Sequence, residues 1–173
     1  MMSPSHLAVR TVMALSSAGL LALTYAASGG VLPVAVALAV LTAVAVARPE
    51  SWAVLALVLG HAVHWTATAP APENLAQWTT VLGGAWLVLL LHVSASAAVT
   101  WPSRTAVPGR GWRRWAVRTA VVAVAVVPVW AVGAVTRQQS LRGEVSMTYV
   151  AIAGLALLAG AVFLLSAPSA RRH

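Results

Sequence analysis

Residues 31–47 read VLPVAVALAVLTAVAVA, and how this run folds decides the class of the protein. Valine and alanine alternate through it, as residues do along a β-strand. Alternation argues for a strand only when one of the two faces is polar. Here both faces are apolar, so the pattern carries no strand signal. Nor can an open sheet cross a bilayer, because its edge would leave backbone groups unpaired in hydrocarbon. A closed barrel would need polar lumen positions, and this run has none. The run is therefore expected to be an apolar helix, with lipid as its solvent.

Composition points the same way. Of 173 residues, 60% are hydrophobic and 8% are charged, and the mean hydropathy is +0.86. A soluble domain carries about 25% charged residues, so this chain has too few to cover a water-facing surface. There is no cysteine, which excludes disulfides, thiol nucleophiles and thiolate metal sites. Aspartate and lysine are also missing, and eleven arginines face three glutamates. The net charge of +8 would suggest nucleic acid in a soluble protein. In a polytopic protein arginines sit near span ends and set topology, so no nucleic-acid partner is expected.

A helix crossing the hydrocarbon core needs about 20 apolar residues. Six segments of suitable character lie near residues 7–28, 31–47, 51–68, 79–101, 115–135 and 147–166. The expected fold is all-α, a polytopic membrane helix bundle of about six spans forming one transmembrane domain over residues 1–173. The first segment also resembles a secretory signal peptide, with Arg10 ahead of an apolar run and small residues at Ala26, Ala27 and Ser28. Its apolar run is long for such a peptide, so retention is expected.

With the N-terminus in the cytoplasm, Arg10, Arg48, Arg104, Arg110, Arg113, Arg114, Arg118, Arg171 and Arg172 fall on or near the inner side. Only Arg137 and Arg142 fall outside, a strong positive-inside bias that predicts both termini cytoplasmic and a bacterial cell-membrane location. Trp52, Trp65, Trp78, Trp101, Trp112, Trp115 and Trp130 lie near predicted span ends, as an aromatic belt would. Trp86 alone sits well inside a segment.

Small residues drive helix association in lipid. Ala14, Ala18, Ala22 and Ala26 form a ladder at four-residue spacing, as do Ala35, Ala39, Ala43 and Ala47. With Gly29-Gly30 as the only joint, the first two helices are expected to pair along these alanine faces. Pro128 should kink the fifth helix, as a static feature compensated by its neighbours. The stretch GRGWRRWAVR, residues 109–118, is the most basic part of the chain. As an inner-side loop, Arg104, Arg110, Arg113, Arg114 and Arg118 would meet anionic lipid headgroups or an acidic membrane-protein partner.

Serine-hydrolase, metalloprotease and phosphate-loop motifs are absent. Glu50 and Glu73 each follow a proline closely and suit the first turns of the third and fourth helices; Glu144 also falls outside a span. No carboxylate is left for a relay inside the membrane. Histidines remain, and an ionisable residue within a span is a candidate site by default. His61 and His64 lie three residues apart in LVLGHAVHWTATAP, residues 57–70, and share a helix face. His92, in LLLHVSAS, is the obvious third ligand. Counting from the shared outer loop, His61 is about 10 Å deep and His92 about 20 Å deep at 1.5 Å per residue. Nitrogens bound to one zinc ion sit about 2 Å from it, so no metal or haem site is expected. Each deep histidine is expected to bond a carbonyl or hydroxyl on a neighbour, with Ser94 and Ser96 as candidates.

The combination HWTATAPAP, LHVSASAAVTWP, RRWAVR and VPVWAV resembles small polytopic membrane proteins of high-GC actinobacteria. Such proteins accompany MoxR-type AAA+ ATPases and their membrane partners. The resemblance implies an accessory membrane component and no catalytic residues or cofactor. The expected function is a non-enzymatic accessory or scaffold subunit; the alternative is a small transporter or ion-conducting protein using its intramembrane histidines.

Overall fold

A computed structural model describes residues 3–101 and 106–138. Five helices run through them: α1 Pro4–Ser28, α2 Leu32–Ala47, α3 Ala53–Thr68, α4 Leu75–Thr100 and α5 Gly109–Gln138. No strand occurs among the described residues, and residues 32–47 of the opening run form helix α2. The chain divides into two compact units, residues 1–112 and 113–173. The predicted span at 147–166 lies outside the described residues.

Among the described residues three helices, α1, α4 and α5, are long and apolar enough to cross a membrane. Helices α2 and α3 have 16 residues each, about 24 Å at 1.5 Å per residue, and so fall short of a hydrocarbon core about 30 Å thick.

Local chemistry sets the helix ends. Ser3 caps α1, its Oγ accepting from the His6 backbone N–H at 3.3 Å, and Pro4 fills the first helical position, where no donor is missed. Gly29 and Gly30 take φ of 75° and 59°, left-handed values that stop α1 at little strain for glycine. Asn74 caps α4 by accepting from the Gln77 N–H at 3.0 Å, and the Gln77 side chain returns to the Glu73 N–H at 2.6 Å. This reciprocal pair makes Asn74, not Glu73, the residue that opens α4, and starts the helix four residues earlier than hydropathy suggests. Glu50 is likewise outside the first turn of α3, which contains no acid. Ser51 folds back onto the Arg48 carbonyl through both its N–H and its hydroxyl, and that turn delays α3 to Ala53.

In the first unit α1 touches α2, α3 and α4, and its contact with α4 is the most extensive. The α1–α4 pair is antiparallel: His6 meets Ala98, Gly19 meets Leu87, and Leu23 meets Gly83. Helices α2 and α3 pair with Leu38 against Gly60. Met13, Leu20, Leu38, Leu57, Leu91 and Ala95 form the shared apolar core.

The expected alanine seam is not where α1 and α2 meet. Ala18, Ala22 and Ala26 are exposed, as are Ala39, Ala43 and Ala47; of the two ladders only Ala35 is buried. The buried stripe of α1 is instead Ser5, Val9, Met13, Ser16, Ser17, Leu20 and Thr24. Close approach comes from glycine. A Cβ on Gly60 would lie 2.7 Å from Leu38 Cδ2, and one on Gly19 would lie 3.0 Å from Leu87 Cδ1. Alanine ladders arise easily in an alanine-rich chain, whereas a buried hydroxyl gains a partner only by facing inward.

The distribution of polarity is inverted relative to a water-soluble protein. His6, Ser16, Ser17, Thr24, His61, His64 and Ser94 are buried, while Leu15, Leu32, Val40, Leu55 and Val63 are each at least 60% exposed. In water that outer surface would be a large aggregation-prone patch; in lipid it is ordinary. Gly60→Leu should therefore destabilise the detergent-solubilised protein by about 1–3 kcal/mol through overpacking. Ala18→Leu and Ala39→Leu should leave thermal unfolding unchanged, and a loss of stability in either would restore the alanine seam.

Candidate functional site: a buried histidine centre

Helix α3 buries one stripe, Ala53, Leu57, His61 and His64, positions spaced to share a face. The stripe is apolar at its start and carries imidazole at its end. His61 Nε2 lies 2.8 Å from Ser17 Oγ on α1. Ser17 Oγ lies 2.6 Å from Thr42 Oγ1 on α2, and Thr42 Oγ1 donates to the Leu38 carbonyl at 2.7 Å. Three helices thus meet at one polar chain.

Proton counting gives the chain a direction. Thr42 has one hydroxyl proton, and it goes to Leu38. Ser17 must then donate to Thr42 and accept from His61. His61 is thereby a neutral imidazole with its proton on Nε2, so Ser17 is a relay in a structural chain and not a hydroxyl activated by a base. In the reverse order, with Ser17 donating to His61, Thr42 and Leu38 would face each other as two acceptors.

A hydroxyl partner for His61 was expected, but on other residues. Ser94 is buried and bonds the Leu91 carbonyl of its own helix at 3.1 Å. Ser96 is exposed and bonds the His92 carbonyl. The hydrogen-bond demand of His61 is legible in the sequence; which helix supplies the hydroxyl depends on packing order.

His64 is 3% exposed, and neither ring nitrogen has a hydrogen-bond partner among the described residues. His92 is exposed. The α1–α4 contacts place it about four residues, or about 6 Å, from the level of Ser17 and His61, less than the separation counted from the loop. That count took the helix ends as level, whereas α4 projects about two turns beyond α3 at 5.4 Å per turn. Face, more than depth, keeps His92 away: its neighbour Leu91 is fully buried and His92 is turned outward. Among the described residues no three His, Cys, Asp or Glu side chains gather where they could hold a metal ion.

Two further cross-helix contacts have no clear sequence signal. His6, buried in the first turn of α1, donates from Nε2 to the Ala98 carbonyl at 2.9 Å. Arg10 donates from Nη1 to the Ala47 carbonyl at 3.3 Å. Both carbonyls belong to the last turns of their helices, α4 and α2, where backbone acceptors lack helical partners and the helix dipole favours a donor. Only the antiparallel pairing of α1 with both helices brings these groups together.

The predicted basic loop is largely a helix. Arg110, Arg113, Arg114 and Arg118 are exposed and lie in the first three turns of α5; Arg104 lies outside the described residues. At 100° per residue the four arginines fall within about 140° of arc, one broad face. Ahead of them the Val107 N–H donates to Ser5 Oγ at 2.9 Å, and Trp101 and Trp112 stack edge to face at 4.7 Å. Apart from the histidines, an apolar cavity of about 270 Å³ lies between the ends of α1 and α3 and the start of α4, lined by Leu23, Ala27, Trp65, Pro70 and Val81 among others.

Comparison with protein-family profiles, with curated proteins and with solved structures finds no match to this chain in any of the three. A double-mutant cycle of Ser17→Ala and His61→Leu in detergent should show a coupling energy of about 0.5–1.5 kcal/mol, the range for hydrogen bonds between membrane helices. Additive effects of the two substitutions would contradict the chain.

Proposed function

We propose that this protein is a non-enzymatic accessory or scaffold subunit of the bacterial cytoplasmic membrane, whose basic helix start docks on anionic lipid headgroups and positions a membrane-protein partner. The observation that carries this reading is the arginine face of α5. Arg110, Arg113, Arg114 and Arg118 are all exposed, and residues 106–138 contain no acid to pair with them. Cations at a helix N-terminus oppose the helix dipole, so this helix does not keep them for its own stability. An anionic surface supplies the compensation, at about 1 kcal/mol per arginine near the headgroups. Trp112 and Trp115, beside the arginines, suit the interfacial level.

The placement of these arginines on the inner side rests on the charge bias of the whole sequence, with both termini cytoplasmic and six spans, of which the short α2 and α3 require the bilayer to thin around them. A retained first segment fits this reading, since α1 is the helix on which α2, α3 and α4 converge. The resemblance to small actinobacterial membrane proteins supports a role beside a MoxR-type AAA+ ATPase system, with no cofactor or nucleic acid involved. The alternative, a small transporter or ion-conducting protein, draws on the buried His61 and His64, but it loses His92 as an interior group.

Affinity purification from the native membrane should recover a membrane partner whose yield falls several-fold when Arg110, Arg113 and Arg114 become Gln. The same variant should bind vesicles containing 30% phosphatidylglycerol more weakly than wild type when α5 is presented as a peptide, on the order of 100-fold for three lost contacts at 1 kcal/mol each. Unchanged recovery and unchanged vesicle binding would overturn the docking role. A proton or ion flux in proteoliposomes that is lost in His61→Ala would favour the transporter reading.

A further inference from the structure

His64 is the least satisfied polar group in the bundle. A neutral imidazole brings one donor and one acceptor, and both of its ring nitrogens are buried without a partner among the described residues. Buried polar groups in folded proteins are nearly always hydrogen-bonded, to protein or to water. An orphaned side chain of this kind marks a place where something binds.

The surroundings restrict what that is. His64 shares the buried face of α3 with His61. From α1 the ionisable groups are His6, Arg10 and Tyr25; α2 carries none; α4 contributes only the exposed His92. No carboxylate occurs on α1, α2, α3 or α4, and Glu50 and Glu73 are exposed in the connections. A cation therefore has no anionic ligand here, and a bulky organic ligand finds no polar counterpart. Water matches these groups chemically, because it donates and accepts and carries no charge. Proton counting in the Ser17–Thr42 chain adds a second, independent point. It leaves His61 Nδ1 as a bare acceptor at the head of the chain, one helical turn from His64.

We propose that His61 and His64 form a hydrated centre inside the α1–α2–α3 bundle, in which water links the two imidazoles at the head of the Ser17–Thr42 hydrogen-bond chain. Water donates to His61 Nδ1 and bonds the ring of His64. The centre is independent of the lipid-docking face on α5.

The test uses the full chain, labelled with ¹⁵N-histidine, in lipid nanodiscs. Solid-state NMR with polarisation transfer from water should reach the His64 ring nitrogens several-fold faster than those of His92, which is turned out of the bundle toward lipid. His61 should carry its proton on Nε2 at neutral pH. His64→Leu should abolish transfer to His61 and lower the melting temperature, because linking water is lost. Water transfer to His64 no faster than to lipid-facing His92 would overturn the proposal. So would a His61 protonated on Nδ1 at neutral pH, or a higher melting temperature in His64→Leu, the result for a dry, unpartnered imidazole.

Discussion

Lipid gives no reward for burying a leucine, and that constraint shapes the first unit. A leucine against a helix and a leucine against an acyl chain are in nearly the same environment. Polar groups are not indifferent, because hydrocarbon leaves them without partners. The helices therefore turn Ser17, Thr42 and His61 toward one another and leave Leu15, Leu32, Val40, Leu55 and Val63 outside. Ser17, His61 and Thr42 are the clearest result: each comes from a different helix, and each supplies what its neighbour lacks.

Helix α1 bears most of this arrangement. Along one stripe it presents His6 to the end of α4, Arg10 to the end of α2, and Ser17 to the middle of α2 and α3. The two terminal contacts answer free carbonyls of helix ends, and the central one joins three helices. Glycine completes the fit: Gly19 admits Leu87, and Gly60 admits Leu38. Distances between helix axes are thus set by where glycine lies, and rotation about those axes by where hydroxyl and imidazole lie.

Helical class was legible in the sequence because it follows from solvent. A 17-residue run that is apolar on both faces has few other ways to satisfy its backbone in lipid. Helix ends were less legible. Hydropathy sees side chains, whereas the start of α4 depends on the Asn74–Gln77 exchange and that of α3 on the turn at Ser51. The partner order of the helices was hidden for a different reason. Ala18 and Ser17 are adjacent, and both suit close packing; only a hydroxyl on another helix decides which one faces inward. For the histidines, periodicity paired His61 with His64 correctly on one face. His6 gave no signal, because its acceptor is a backbone carbonyl 92 residues away, and His92 was separated from the others by rotation more than by depth.

The central claim is that α1 faces the bundle with the stripe Val9, Met13, Ser17 and Leu20 and faces lipid with Leu7, Leu15, Ala18 and Ala22. Spin labels scanned along residues 7–24 of the reconstituted protein measure this directly through collision with oxygen, which is concentrated in the acyl region. The account predicts maxima at positions 7, 15, 18 and 22 and minima at 9, 13, 17 and 20, a helical period with the serines sheltered. Maxima at 13 and 17, or high access of a water-soluble nickel complex at 15, would contradict it.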